Sequence, residues 1–176
     1  MAAVSTSRRA LAGIILVIAG VLYALAVLLP LAGVNLSFIG ALAYIAIAAA
    51  LVVLALGAVN ATVTKIALIV GAVGWLVLGL IALPIALPAA ATTIAAVLAA
   101  LGTLIGAIVL YVGKEVTNTA ALAFVITAII AVIVLLGGPL AVFSLGTAGT
   151  VVAIAFAVAL IITGVLLSRK ERGSRR

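Results

Sequence analysis

Few side chains in this sequence could perform chemistry. The sequence has no Cys and no His, and Glu115 and Glu171 are its only acids. Without these groups there is no thiolate nucleophile, no imidazole base and no set of metal ligands. We therefore predict no catalytic residue, no metal and no cofactor. Each glutamate directly follows a lysine, at Lys114 and Lys170, and we interpret both as solvated loop charges.

Three aromatic side chains are the best candidates for a binding site. Tyr23 and Tyr44 each lie seven residues from the same predicted outer turn, and Trp75 lies nine residues before the next one. At the rise of an α-helix these positions share a similar depth, about 10 Å or slightly more below the turns. We predict that the three side chains approach one another. In one interpretation they belong to the packed core, and their hydroxyl and indole groups form hydrogen bonds with neighbouring groups. In the other they line a pocket of at least roughly 300 Å³ that binds an apolar ligand or a lipid tail.

The elements that hold these residues are membrane-spanning helices. Of the 176 residues 70% are hydrophobic and 6% are charged, and the mean hydropathy is +1.72. A bilayer core of about 30 Å needs about 20 apolar residues of helix to cross it. The strict alternation typical of membrane strands is absent. The sequence therefore predicts an all-α polytopic membrane protein with six transmembrane helices, near residues 10–30, 37–59, 66–84, 90–112, 119–137 and 146–167.

The basic residues indicate how the spans are oriented. Arg8 and Arg9 precede the first span, the second and fourth loops contain one lysine each, and five more basic residues follow the last span. The other three loops carry no charge, so the positive-inside rule predicts a multi-pass protein of the plasma membrane with both termini in the cytoplasm. The alternative is an export signal in which Arg8 and Arg9 form a twin-arginine motif and the chain is cleaved near Ala26.

The basic tail, residues 168–176, is a candidate contact with anionic lipid headgroups. A polybasic segment beside a transmembrane helix attracts anionic lipid with about 1 kcal/mol per basic residue. Its other interpretation is a topology anchor without specific binding. The residues concerned are Arg169, Lys170, Arg172, Arg175 and Arg176.

Two distant segments of the chain are similar. PLAGVNLSFIGALAYIAIA begins at Pro30 and PLAVFSLGTAGTVVAIAFA begins at Pro139, and a weaker copy aligns at Pro84. The alignment gives three units of two spans each, at residues 10–59, 66–112 and 119–167. Because each unit crosses the membrane twice, the copies are parallel repeats related by an axis along the membrane normal. We predict a single transmembrane domain in which three helical hairpins form a compact bundle.

Small residues recur at four-residue spacing along the fourth and sixth spans. Such residues allow helix backbones to approach closely in lipid, where no hydrophobic force drives helices together. We predict that they pack helices against one another, either within the chain or, alternatively, between copies of it. The residues are Ala91, Ala95, Ala99, Gly102, Thr103 and Gly106 in the fourth span and Gly149, Ala153 and Ala157 in the sixth.

The layout of six spans in 176 residues, with a proline at each outer turn, resembles the short-repeat membrane proteins of the HdeD acid-resistance type. Gly20 and Gly74 match the glycine that this family tends to show before the proline, whereas the third copy has Ile129. The resemblance covers the whole chain at the level of layout. It implies a membrane protein linked to stress tolerance, and it transfers no catalytic residue.

These features predict a non-enzymatic integral membrane protein, either a structural or stress-related bundle or an accessory subunit of a larger membrane complex. Its expected partners are the lipid bilayer with its anionic headgroups and a membrane protein or second copy of the chain, without nucleic acid. The alternative is a small transport component, such as a passive pore or binding unit for a neutral or apolar molecule. An enzyme is disfavoured because only Tyr and Thr hydroxyls are available inside the spans.

Overall fold

Six α-helices make up the computed structural model, which describes residues 6–34, 36–57, 62–83, 88–137 and 146–169. Each helix is long and apolar enough to cross a membrane. The prediction of an all-α polytopic membrane protein with six spans is thereby confirmed. The helices are α1 Thr6–Leu31, α2 Ser37–Gly57, α3 Thr62–Ala82, α4 Ala89–Val112, α5 Asn118–Gly137 and α6 Gly146–Ser168.

The helices are arranged as a closed ring in chain order. Each helix packs against its neighbours in sequence, and α6 packs against α1. We call the end where α1, α3 and α5 begin the basic end, because Arg8, Arg9 and Lys65 lie there. Three hairpins related by rotation would produce this order. The internal repeat stays a prediction, since Pro84 and Pro139 lie outside the described residues.

Two helices begin earlier than the sequence suggests. α1 starts at Thr6 and α3 starts at Thr62, so Arg8, Arg9 and Lys65 lie in helical turns rather than in loops. Long basic side chains are tolerated at the end of a span because their charged groups reach the interface while their stems stay in apolar surroundings.

The turn after α4 differs from the one that the sequence favours. A glycine just after a helix commonly takes the left-handed conformation, but φ of Gly113 is −72° and Lys114 takes that conformation, with φ 51°. The Glu115 N–H donates to the carbonyl of Leu110 at 3.3 Å, a bond typical of a Schellman turn. The consequence is that the chain folds back at Lys114 and Glu115 lies against the end of the ring.

Packed side chains fill the interior of the ring, while the outer surface is also apolar. A helix that is apolar on all faces suits a membrane span, because its outer face contacts lipid. Leu11, Ile14 and Ile18 on α1, for example, are half exposed. The largest fully buried side chains are Trp75, Phe156, Leu16, Leu51, Leu54, Leu68, Leu110, Leu167, Thr64 and Thr163.

Small residues bring α3 and α4 into backbone contact. A methyl group on Gly102 would overlap the backbone of Gly71, and one on Gly74 would overlap the backbone of Ala99. The small residues of α4 therefore pack within the chain. On α6, Ala157 packs against the backbone of α1 in the same way. A methyl group on Gly20 of α1 would lie 2.9 Å from the carbonyl oxygen of Ala157. Ala95, Ala99, Gly102, Thr103, Gly106 and Ala157 are buried, whereas Ala91, Gly149 and Ala153 are partly buried.

Candidate functional site

Four aromatic rings from four helices meet inside the ring of helices. Tyr23 and Tyr44 were expected to lie near Trp75, and Phe156 on α6 joins them. The prediction that the first three side chains approach one another is confirmed. The centroid distances are 6.0 Å for Tyr23–Tyr44, 5.5 Å for Tyr44–Trp75, 5.9 Å for Trp75–Phe156 and 5.1 Å for Phe156–Tyr23. We call these four residues the aromatic cluster.

The rings of the aromatic cluster adopt favourable relative orientations. Trp75 and Phe156 stack with an interplanar angle of 8°, and Tyr23 meets Phe156 edge-on at 88°. Both arrangements suit the quadrupoles of aromatic rings, and such pairs are worth about 0.5–1.5 kcal/mol beyond their burial. Because α3 and α6 are not neighbours around the ring of helices, the Trp75–Phe156 stack crosses its interior. The interior is therefore closed at this level.

One polar group of the aromatic cluster has a hydrogen-bond partner on another helix. The Trp75 indole N–H donates to the Thr103 hydroxyl oxygen at 3.0 Å, which links α3 to α4. The Thr103 hydroxyl accepts this bond through its oxygen and retains its own O–H donor. Side-chain hydrogen bonds between spans are worth on the order of 1 kcal/mol.

As packed, the aromatic cluster is a filled core rather than an open pocket. Tyr23 is 7% exposed and Trp75 is 1% exposed, so a ligand would have to displace one of the rings. Two furrows of about 390 Å³ each lie elsewhere, on the lipid-facing surface between α2 and α3 and between α3 and α4. A ligand-binding role for Tyr23, Tyr44 and Trp75 stays a prediction.

Phe156 is the member of the aromatic cluster that the sequence reasoning missed. The search considered aromatic residues with a polar group, and phenylalanine has none. A depth argument would have found it, because Phe156 lies ten residues after the start of α6 at Gly146, or about 15 Å from the outer end. That depth is close to those of the other three rings.

A pair of threonines connects α5 to α6. The hydroxyls of Thr127 and Thr163 lie 2.8 Å apart, and Thr127 also donates to the carbonyl of Ala123 at 2.9 Å. The second bond is the one expected for a threonine in a span, to the carbonyl one turn earlier. The first joins two helices, and it satisfies both hydroxyls where no water is available.

Arg8 and Arg9 connect α1 to both of its neighbours at the basic end. The Arg8 guanidinium donates to the carbonyl of Leu56 in the last turn of α2. Arg9 donates to the carbonyl of Arg169, just after α6, at 3.4 Å. The last carbonyls of a helix lack partners within it and attract cations. The two arginines that indicate topology therefore also hold the ring together.

Glu115 is buried at the basic end, so the prediction that it is a solvated loop charge is wrong. Its side chain is 6% exposed, and its Oε1 accepts a hydrogen bond of 3.2 Å from the Thr64 hydroxyl on α3. Its Oε2 is buried without a hydrogen-bond partner in the part of the chain that the structure describes. The turn at Lys114 is the physical reason, because it directs the chain back over the end of the ring.

The burial of Glu115 should make the stability of the protein depend on pH. Desolvation raises the pKa of the Glu115 carboxyl above its ordinary value of 4.5, while the Thr64 hydrogen bond and the charge of Lys65 oppose the rise. Between 4.5 and the raised pKa the folded chain binds a proton that the unfolded chain has lost. The contribution of Glu115 to stability is therefore largest below pH 4.5 and is lost as pH rises through the folded pKa.

We expect Glu115→Gln to be more stable than the wild type at pH 8, and this advantage to vanish near pH 4. Glutamine can keep the Thr64 hydrogen bond without placing a charge at the buried position. Thermal unfolding in a mild detergent between pH 4 and pH 8 measures the difference. The control is Glu171→Gln, which removes the other acid and should keep the wild-type pH profile. An advantage that is equal at all pH values would show that ionisation is not its cause.

Of the basic tail, the structure describes one member. Arg169 is exposed just after α6. Lys170, Arg172, Arg175 and Arg176 lie outside the described residues. Contact of this tail with anionic lipid therefore stays a prediction.

In the described part of the chain, polar side chains form hydrogen bonds between helices at three places: the aromatic cluster, the threonine pair and the basic end. Each links different helices. Among the described residues, the one hydroxyl that bonds a carboxylate is that of Thr64, on Glu115, and both side chains are buried. Comparison of the chain with protein-family models, with curated proteins and with solved structures finds no match.

Proposed function

We propose that this integral membrane protein is not an enzyme and acts by association, as a structural bundle or an accessory subunit of a larger membrane complex. The observation that carries the proposal is the filled interior of the ring. Trp75 and Phe156 stack across it, and both are 1% exposed. A protein whose interior is occupied by its own side chains offers its outer surface to other molecules.

The distribution of charge supports the same proposal. Among the described spans, charged side chains occur as Arg8, Arg9 and Lys65, and all three lie at the basic end. Polar groups deeper in the spans bond one another, as Trp75 does with Thr103. Ionisable side chains inside membrane spans often mark ion pathways and proton relays.

Purification of the tagged chain at its native level in a mild detergent, followed by mass spectrometry, tests the proposal. We expect a membrane protein to copurify in a fixed ratio. The matched control is Gly102→Ala, which disturbs the α3–α4 contact and should release that partner while still recovering general chaperones. Recovery of the chain alone, or with a retained small molecule in place of a protein, would contradict the accessory-subunit proposal.

The second candidate is a passive pathway for a small neutral molecule. A closed ring of helices surrounds a common axis, and the Trp75–Phe156 stack crosses it as the two largest of the fully buried side chains. Phe156→Ala would remove half of the stack across that axis. If this candidate is right, the variant should accelerate the flux of a neutral solute such as glycerol into proteoliposomes. If the wild type and Phe156→Ala both give the same glycerol flux as empty liposomes, the protein is not a pathway for glycerol.

The resemblance to short-repeat proteins of the HdeD type adds a physiological proposal, a role in stress tolerance. A deletion strain should then survive acid or a related stress less well than its parent. Restoring the gene should recover survival, and restoring the Gly102→Ala variant should recover less of it. Equal survival of the deletion strain and its parent would remove this proposal while leaving the others in place.

We also propose that the protein lies in the plasma membrane with the basic end in the cytoplasm. The chain has no Cys, so single replacements can report exposure. Pro88→Cys should react with an impermeant thiol reagent added to intact cells, whereas Thr62→Cys and Asn118→Cys should react only after permeabilisation. All three side chains are exposed, so labelling depends on which side of the membrane each position faces and not on its burial. Labelling of Thr62→Cys in sealed cells would reverse the orientation. Asn35 and Ser144, two further outer positions predicted from the sequence, lie outside the described residues.

A further inference from the structure

The furrow between α2 and α3 has the dimensions of a site for one apolar chain. Its volume is about 390 Å³, and every side chain that lines it is aliphatic. The furrow forms because the side chains of Ala48, Ala49 and Ala72 are small. Larger side chains such as those of Ile69 and Leu76 lie beside them. Volumes of roughly 300–1,000 Å³ are typical of sites for small molecules.

Both walls of this furrow lead to the basic end. On α3, Ile69, Val73 and Leu76 follow Lys65 at spacings of four, eight and eleven residues, which places them on one face of the helix. On α2, Ile45, Ala49 and Val52 lie on the face that ends at Leu56, eleven residues after Ile45.

Two cationic groups lie where the walls end. Lys65 continues the α3 wall and is partly exposed. The Arg8 guanidinium binds the carbonyl of Leu56, which continues the α2 wall, and Arg8 is exposed. A guanidinium has five N–H donors, so this bond leaves others available for a second partner.

The furrow between α3 and α4 provides a comparison within the same molecule. It has the same volume, about 390 Å³, and it is equally aliphatic. Its α3 wall begins at Val63, and its α4 wall, Leu98 and Ile105, continues at helical spacing to Val112. Neither wall ends at a basic residue, and one cation, Lys114, lies two positions beyond Val112 in the turn after α4. A combination of apolar furrow and paired cations therefore distinguishes the α2–α3 furrow.

We propose that the α2–α3 furrow binds one acyl chain of an anionic phospholipid of the bilayer, with the phosphate between Arg8 and Lys65. A furrow that opens to lipid and lacks polar groups accepts an acyl chain, and the cations at its end select a negative headgroup. This site is separate from the basic tail, and it does not depend on whether the protein is an accessory subunit.

Native mass spectrometry of the full chain in a mild detergent tests the headgroup preference. The probe is an equimolar mixture of phosphatidylglycerol and phosphatidylcholine with the same acyl chains. The wild type should retain phosphatidylglycerol preferentially. Lys65→Gln should lower that preference roughly fivefold, which corresponds to about 1 kcal/mol, and Arg8→Gln should act similarly. The control is Lys114→Gln, which removes one exposed positive charge in the turn after α4, beyond the walls of the α2–α3 furrow, and should keep the preference.

A second variant tests the furrow itself and remains informative if Arg8→Gln fails to fold. Ala49→Leu fills the furrow and should reduce retained phospholipid of both headgroup types. Its matched control is Ala155→Leu, which enlarges an exposed alanine on α6 and should leave retention unchanged. The proposal is overturned if the wild type shows no headgroup preference, if Lys114→Gln lowers it as much as Lys65→Gln, or if Ala49→Leu retains as much phospholipid as Ala155→Leu.

Discussion

Trp75→Ala should lower the free energy of unfolding by about 3–5 kcal/mol, the usual effect of removing a large buried aromatic side chain. Trp75 is 1% exposed and contacts both Tyr44 and Phe156 in the aromatic cluster. Its removal leaves a cavity where α3 faces α6 and leaves the Thr103 hydroxyl without the indole donor. Equilibrium unfolding in mixed detergent micelles measures the change.

Two comparisons separate this effect from a general effect of mutation in α3. Leu76→Ala changes the next residue, which is 42% exposed on the lipid-facing surface, and it should cost much less. Trp75→Phe keeps an aromatic ring but removes the N–H, so we expect a loss of about 1 kcal/mol in addition to a smaller packing defect. Equal losses for Trp75→Ala and Leu76→Ala would mean that the interior of the ring is not packed as described.

Gly102→Ala should destabilise the protein by about 1–3 kcal/mol, even though alanine is the better helix former. The added methyl group would overlap the backbone of Gly71, and a backbone within a helix cannot move aside as a flexible side chain can. The α3–α4 contact must therefore widen. The same unfolding experiment measures the loss.

Gly40→Ala is the matched control for this substitution. Gly40 is also helical, and an added methyl group there would meet Ala26 Cβ at 3.9 Å, an ordinary contact. Because alanine has a higher helix propensity than glycine, Gly40→Ala should be as stable as the wild type or up to about 1 kcal/mol more stable. If Gly102→Ala behaves like Gly40→Ala, then α3 and α4 do not approach as closely as their glycines indicate.

The six spans were predictable because the thickness of a bilayer fixes the length of an apolar helix. At the basic end α1 and α3 begin at Thr6 and Thr62, before the predicted starts at residues 10 and 66, so Arg8, Arg9 and Lys65 are helical. Sequence alone does not show that Arg8 has a carbonyl partner at Leu56, 48 residues away. Such a partner makes an additional turn of helix favourable despite the charge.

The aromatic cluster was predictable in part for a similar geometric reason. A fixed rise per residue converts spacing into depth, so Tyr23, Tyr44 and Trp75 could be assigned to one layer. Their contact also depends on the order of helices around the ring, which the three-hairpin prediction implied. Phe156 was missed because the search required a polar group.

Glu115 shows where sequence reasoning fails. Its neighbours in sequence suggest an exposed loop, and its burial follows from a backbone conformation at Lys114 and from Thr64 on another helix, 51 residues away. Lysine rarely takes a left-handed conformation, so Gly113 was the natural choice for the turn. A shift of one residue in that turn changes which side chain faces the interior.

The contact between α1 and α6 has a consequence for synthesis. Gly13 on α1 lies so close to Gly164 on α6 that a methyl group there would be 2.5 Å from the Gly164 carbonyl oxygen, and Arg9 bonds a carbonyl 160 residues later. Because α1 is made before the other five helices, it meets its second neighbour, α6, only after α2 to α5 have been made. Until α6 enters the membrane, the glycine face of α1 is open to lipid or to the helices of other nascent proteins. A chaperone or an insertase that shields this face during translation would prevent those wrong pairings.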